Sequence, residues 1–289
     1  MRMLAVFTSA VCALLIGCTD SSDNTTVTTD PSASARTSTV SYVCIGMETS
    51  SRFGSCPGCT KDADRINGLL KDTFGYSGVL LQSAQATRDA VVGAIKSAIS
   101  ATPEDGLFIL YYSGHGGREF LDSTATEEPE GADEADEYLC LYDKPLLDDD
   151  VWKLITQCRG RVFLVFDCCH SQTMFRSVAS DEALEKGLAI ALGEENMVKS
   201  AGFTLRPRGV PLSKGGEIKM LCWSGCMEAE YSYGSSRGGV MTNAIMSRWR
   251  KGVTYADLWS AVAKDVTKSQ STQHPMSTQY GGTFVEAFR

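Results

Sequence analysis

The chain has 289 residues, 43% of them hydrophobic, with 35 acidic against 27 basic side chains and a formal charge of -8 at pH 7. That length allows one large or two small domains with a sizeable core, and the acidic balance argues against a nucleic-acid partner, which needs clustered basic side chains. Cysteine is plentiful at 11 residues and histidine scarce at three, so a histidine base has to be chosen from His115, His170 and His274.

Residues 1–18 read as a targeting segment. Arg2 supplies a positive charge, and residues 4–17 are apolar but too short to span a bilayer comfortably. Leu14-Leu-Ile-Gly-Cys18 resembles a bacterial lipobox, which implies cleavage and acylation at Cys18. An ordinary secretory signal is the competing reading. Either way the expected location is secreted or periplasmic, with membrane attachment through an acylated Cys18 in the first case. Residues 19–39, rich in Ser, Thr and Asp, are expected to form a disordered tether.

From there strands and helices alternate. Residues 40–47 predict a first strand. Residues 62–74 carry Ile66, Leu69, Leu70 and Phe74 on one helical face, and Gly75 ends that helix. A short strand is expected at 78–81. Thr87 can cap a helix running to about residue 100, with Val91, Ile95, Ala98 and Ile99 inward. Residues 107–112 are a continuous apolar run, as in a strand buried on both faces of a parallel sheet. A long acidic loop then reaches about residue 137, and a helix over about 150–158 leads into a second apolar run, 162–166. Residues 177–216 read as a connection, flexible in its later part, which holds Arg206-Pro-Arg208 and Ser213-Lys-Gly-Gly216. Another buried strand is expected at 218–223. Two helices follow, one over 242–249 and one capped by Thr254 with Tyr255, Leu258, Trp259 and Val262 inward, and 283–285 is the expected closing strand. There is no internal repeat. This alternation predicts an α/β fold over residues 40–289, a three-layer α/β/α sandwich around a mainly parallel sheet.

Both long apolar runs break into reactive groups at their carboxyl ends, where open α/β sheets place their sites. The first opens into Ser113-Gly-His-Gly-Gly117, the second into Asp167-Cys-Cys-His-Ser171. Adjacent strands ending in His115 and a cysteine bring a base to a thiol, the core of cysteine nucleophile catalysis. His170 adjoins the cysteines in sequence, so its side chain should diverge from theirs, and His274, before Pro275, reads as a loop residue. Outside the targeting segment nine cysteines remain, an odd number that fits one free thiol and some disulfides. Cys56-Pro-Gly-Cys59 looks like a redox or zinc pair, without a second pair at zinc spacing.

Tyr111-Tyr-Ser-Gly-His-Gly116 followed by Asp167-Cys-Cys-His-Ser171 resembles the metacaspase type of caspase-fold cysteine peptidase, often called orthocaspase in bacteria. The His-to-Cys separation is similar to the roughly 50 residues of caspases. The resemblance covers residue 40 to the end, with a large-subunit-like part over 40–176 and a small-subunit-like part over 217–289. The latter includes Ser224-Gly-Cys226 and Gly238-Gly-Val-Met-Thr242.

The resemblance implies an endopeptidase acting through an acyl-enzyme. Cys169, immediately before His-Ser, is the implied nucleophile, His115 the acid and base, and the N–H groups of Gly116 and Cys169 the oxyanion hole. Cys168 falls on a variable position, with strand-end packing as its plain role. An acidic substrate pocket of Cys59, Asp62, Ser113 and Asp167 is also implied, favouring a polypeptide with Arg or Lys before the cut. The plainer readings are a helix amino-terminal charge for Asp62 and a strand-end hydrogen bond for Asp167.

Asp148-Asp-Asp150 stands where metacaspases carry acidic calcium ligands, yet three acids before an apolar helix are equally what a helix amino terminus prefers. Arg176 and Gln172 depart from the calcium-dependent pattern. No cofactor is expected to be required, and calcium is the metal to test. Arg206, Arg208 and Lys214 offer basic sites for self-cleavage between the two parts. A monomer is expected. The alternatives are a catalytically inactive caspase-fold binding module and a gingipain-like or legumain-like cysteine peptidase.

Overall fold

The computed structural model describes residues 39–120, 135–168, 170–171, 197–201, 218–227, 230–281, 284 and 288. The expected targeting segment and nearly all of the tether, the middle of the acidic loop, Cys169, Gln172, Arg176, Arg206, Arg208 and Lys214 lie outside the described residues.

Strand β1 (Val40–Gly46) leads to helix α1 (Cys59–Gly68), which continues into a π-helical turn over Leu69–Thr73, and then to strand β2 (Ser77–Gln82). Helix α1 starts earlier than its apolar periodicity predicts. Gly58, at φ 91°, turns the chain into it in a left-handed conformation that glycine adopts without a Cβ clash. At the far end Gly75, at φ 76°, stops the helical run as expected. Helix α2 (Arg88–Ala101) is capped by Thr87, whose side chain accepts the Ala90 N–H.

Strand β3 (Leu107–Ser113) is followed by β4 (Gly116–Phe120), β5 (Ala135–Cys140) and β6 (Pro145–Leu147). The antiparallel β4–β5 pair occupies both ends of the stretch expected to be loop. Its sequences, Gly-Gly-Arg-Glu-Phe and Ala-Asp-Glu-Tyr-Leu-Cys, carry too many charges to announce themselves as strands. Helix α3 (Asp148–Ile155) also begins earlier than expected, so all three aspartates fall in its first turn.

Next come β7 (Arg161–Asp167), β8 (His170–Ser171), β9 (Met197–Ala201), β10 (Met220–Ser224), β11 (Tyr231–Ser235) and β12 (Gly238–Gly239). Helices α4 (Val240–Arg248) and α5 (Tyr255–Ser269) precede the last strand, β13 (Met276–Tyr280). The last strand among the described residues thus lies upstream of the one predicted at 283–285, of which residues 283 and 285 lie outside the described residues. Met-Ser-Thr-Gln-Tyr is a half-exposed edge strand without an apolar run, whereas Phe284 is buried and packs its ring 5.1 Å from that of Tyr255.

The main sheet has the order β13-β10-β7-β3-β1-β2, and every pairing in it is parallel except β10 with β13. Successive side chains of a strand point to opposite faces, and the core divides accordingly. Val43, Ile45, Phe108, Leu110, Leu164 and Phe166 face one layer with α2 and α3. Tyr42, Cys44, Ile109, Tyr111, Phe163 and Val165 face the other with α1, α4 and α5. Each fully buried Phe or Leu in these layers contributes about 1.5–3 kcal/mol. This is the three-layer α/β/α sandwich that the sequence predicts. In its register Gly46 pairs with Ser113, and Ser113 with Asp167, so the carboxyl ends of β1, β3 and β7 finish side by side.

The cysteines differ from expectation. All eight among the described residues are buried, and none of them is in a disulfide. Cys44, Cys158, Cys168 and Cys222 belong to the two main clusters as small hydrophobic side chains. Burial pushes the thiols of Cys44 and Cys140 well above the ordinary range. Among the described residues no helix is long and apolar enough to cross a membrane.

Candidate active site

His115 occupies the short link between β3 and β4. Tyr112, at the end of β3, donates its hydroxyl to the His115 carbonyl at 2.6 Å and to that of Cys140 at 2.9 Å, and the Cys140 N–H donates back to His115 O at 3.0 Å. Burial holds the Tyr112 hydroxyl pKa well above its usual value, so it stays a donor. Gly114 completes the turn because a Cβ there would run into the Tyr112 ring and Met47. These contacts fix the backbone from which the imidazole projects.

The ring itself is oriented by a main-chain group. His115 Nε2 lies 3.1 Å from the carbonyl oxygen of Ser55. A carbonyl only accepts, so Nε2 carries the hydrogen, and in the neutral ring Nδ1 is left with the lone pair. That tautomer, assigned from its partner, leaves one nitrogen able to take a proton. The sequence offers no third member for a Cys-His pair; the structure supplies a backbone carbonyl, which no side-chain pattern can announce.

Cys169 lies outside the described residues, and the chain on both sides of it is placed. Cys168, at the end of β7, is fully buried in the core, the packing role expected of it. On the other side β8 runs parallel to β4 with His170 opposite Gly116. The backbone flanking position 169 therefore passes beside the His115–Gly117 segment. His274 is a loop residue, as predicted, and its Nδ1 sits 2.6 Å from Glu230 Oε1.

The four residues of the implied substrate pocket come together at the same strand ends. Asp62 is fully buried in the first turn of α1; its Oδ2 accepts the Ser113 hydroxyl at 3.0 Å and the Gly239 N–H at 2.8 Å. Asp167, also fully buried, accepts the Ser232 hydroxyl at 3.0 Å, the Thr242 N–H at 3.0 Å and the Thr242 hydroxyl at 2.5 Å. Because that hydroxyl donates to a carboxylate, it must accept from Tyr111, whose hydroxyl lies 2.5 Å away. Both carboxylates thus meet the amino-terminal end of α4, where the helix dipole favours negative charge. The helix-terminus and strand-end readings of Asp62 and Asp167 both hold. Cys59 opens α1 with its Sγ 2.8 Å from that of Cys56.

Sequence reading missed the groups that hold these carboxylates. Ser232, Thr242 and Gln273 are each fully buried, and Gln273 Nε2 donates to Gly225 O and Ser232 Oγ at 2.7 and 3.0 Å. In the sequence Gly238 stands out only as part of Gly238-Gly-Val-Met-Thr242. Its φ of 105° and its contact with Asp62 Oδ1, which a Cβ would overrun, explain why glycine stands there.

The acidic run is arranged differently. Asp150 Oδ2 pairs with Arg88 Nη2 at 2.7 Å, and Lys153 lies 3.8 Å from Asp149 and 4.0 Å from Asp150. Asp149 Oδ1 is buried without a hydrogen-bond partner among the described residues, a feature that favours a cation. Among those residues, however, no group of three or more His, Cys, Asp or Glu is placed to hold a metal. Among the described residues the run serves as the amino terminus of α3 and as an ion-pair partner.

The family described as Caspase domain matches residues 43–283. Among curated proteins, Metacaspase-1 of Schizosaccharomyces pombe is 28% identical over 186 residues, 59% of this chain and 42% of that protein. Metacaspase-1A of Aspergillus oryzae is 28% identical over 188 residues, 58% and 42% of the two chains. The chain thus spans less than half the length of these relatives. Among solved structures, protein GSU0716 from Geobacter sulfurreducens superposes with a TM-score of 0.63 at 21% identity, covering 86% of this chain and 97% of that one.

Proposed function

The chain belongs to the caspase-domain family, and on that premise we propose that it is a cysteine-type endopeptidase hydrolysing peptide bonds after Arg or Lys. The observation that carries this reading is the His115 ring, oriented by the Ser55 carbonyl beside the strand end that leads to Cys169. With Nε2 committed to that carbonyl, Nδ1 takes the Cys169 thiol proton. The thiolate attacks the peptide carbonyl, and the same proton passes to the leaving amine. Water, activated by His115 in turn, hydrolyses the acyl-enzyme. The N–H groups of Gly116 and Cys169 stabilise the oxyanion, a contribution of about 3 kcal/mol where such donors have been removed.

Specificity follows from the paired acids. The donors described at Asp62 and Asp167 are hydroxyls and N–H groups, which stabilise a carboxylate without neutralising it. Two buried carboxylates at one strand-end cluster, with Ser113 and Cys59 beside them, suit a guanidinium or ammonium group. The enzyme acts as a monomer without a required metal. It is exported by the segment ending at Cys18, which attaches it to a membrane when acylated, and it cleaves itself in the connection holding Arg206, Arg208 and Lys214.

The test is hydrolysis of matched fluorogenic peptides ending in Arg, Lys or Asp by the chain and by its Cys169→Ala variant. Turnover of the Arg and Lys peptides is expected, lost in the variant; loss of the His115 base should cost about 10²- to 10⁴-fold. Cleavage of the Asp peptide alone would overturn the specificity, and no turnover at all would leave a caspase-fold binding module.

A further inference from the structure

The Cys56-Pro-Gly-Cys59 turn is tied to both halves of the site. Its two sulfurs are 2.8 Å apart. Both side chains are buried, at 2% and 0% exposure, beneath the exposed residues Gly54 and Ser55. Backbone bonds close the turn: Cys59 N–H donates to Cys56 O at 3.3 Å, and Cys56 N–H to Glu48 O at 2.8 Å. Ser55, the residue before Cys56, presents the carbonyl that orients His115. Gly58, inside the turn, packs so closely on Ser235 and Gly238 that a Cβ would overrun the Ser235 carbonyl, and Gly238 in turn rests on Asp62. Two sulfurs at this separation in one short turn are placed for thiol–disulfide chemistry.

We propose that Cys56 and Cys59 form a redox-active pair whose disulfide locks the turn presenting the Ser55 carbonyl to His115, so that turnover is higher with the pair oxidised than with it reduced. The effect on turnover rests on the peptidase reading above. The oxidant is a peroxide or a small-molecule disulfide. With hydrogen peroxide, one thiolate attacks a peroxide oxygen; the O–O bond breaks, a sulfenic acid forms, and the released hydroxide takes a proton to become water. The second thiolate attacks that sulfur, the S–S bond forms, and the sulfenic hydroxyl leaves as a second water. Two thiols have lost two electrons and two protons, and the peroxide has been reduced to two waters.

The full chain carrying Cys169→Ala, which removes oxidation of the nucleophile, is equilibrated in glutathione buffers from reducing to oxidising. Trypsin releases both cysteines in the single peptide Phe53 to Lys61. Oxidation is expected to lower its mass by two hydrogens and block its alkylation; two alkylatable thiols throughout would overturn the pair. The His115 ring titration, followed by NMR on the same samples, is expected to differ between the two states, and identical titrations would overturn the coupling. Finally the chain with Cys169 intact is compared with its Cys56→Ser variant across the same buffers. Oxidation of Cys169 affects both equally, so the ratio of their kcat values reads the pair. It is expected to rise about tenfold towards oxidising conditions; a flat ratio overturns the effect on turnover. Absence of turnover from both sinks the peptidase reading and that effect with it, while the mass and NMR results still decide the pair and its coupling.

Discussion

Two clusters of aspartates in this molecule have opposite surroundings. Asp62 and Asp167 come from separate elements, are fully buried, and are met by uncharged donors from Ser113, Ser232, Gly239 and Thr242. Asp148, Asp149 and Asp150 are consecutive, with Asp149 and Asp150 partly exposed and faced by Arg88 and Lys153. Neutral hydrogen bonds offset the cost of burying a carboxylate, whereas a cation at 2.7 Å pairs with its charge directly. Acids assembled by the fold and acids adjacent in sequence are thus held by different kinds of partner among the described residues, and it is the first pair that the proposed specificity assigns to a cationic side chain.

Replacing Asp167 with Asn tests the first half of that contrast, with the largest expected effect. Removing one partner of a buried charge pair costs about 2–5 kcal/mol, so kcat/KM for an Arg peptide should fall by roughly 30-fold or more. A peptide with a neutral residue at that position should lose far less. Equal losses for both peptides would mean that Asp167 only supports the fold.

Gly238→Ala addresses how the acids are held. The φ of 105° and the contact with Asp62 should together cost about 1–3 kcal/mol of stability, read as a lowered Tm. An unchanged Tm would show that the approach of Gly238 to Asp62 imposes no constraint.

The smallest effect is expected at the second cluster. Arg88 and Asp150 are 36% and 30% exposed, so Arg88→Ala should cost less than about 1 kcal/mol in thermal unfolding. Calcium or a chelator should leave both Tm and turnover unchanged. A calcium-dependent rise in either would make the acidic run a metal site and erase the contrast.

The apolar runs 107–112 and 162–166 and the groups that end them were legible because buried parallel strands need unbroken hydrophobic stretches and catalytic groups gather at their ends. The helix with its cap at Thr87 was legible for the same local reason. Strands β4, β5 and β13 were not, since charged or half-exposed strands leave no such run. At the site, His115 stood out by its glycine-rich setting, while the Ser55 carbonyl that orients it is 60 residues away and belongs to the backbone. Thr242 reaches Asp167 across 75 residues, and Gly239 reaches Asp62 across 177.

Sequence by itself determined the layered fold, the strand ends and the reactive residue types, because hydrophobic periodicity and turn chemistry are local. Only the tertiary structure decided which donors meet the buried carboxylates, which nitrogen of His115 faces the Ser55 carbonyl, and that a cysteine turn touches both. Those properties depend on distances between groups far apart along the chain, and burial turns such distances into energy.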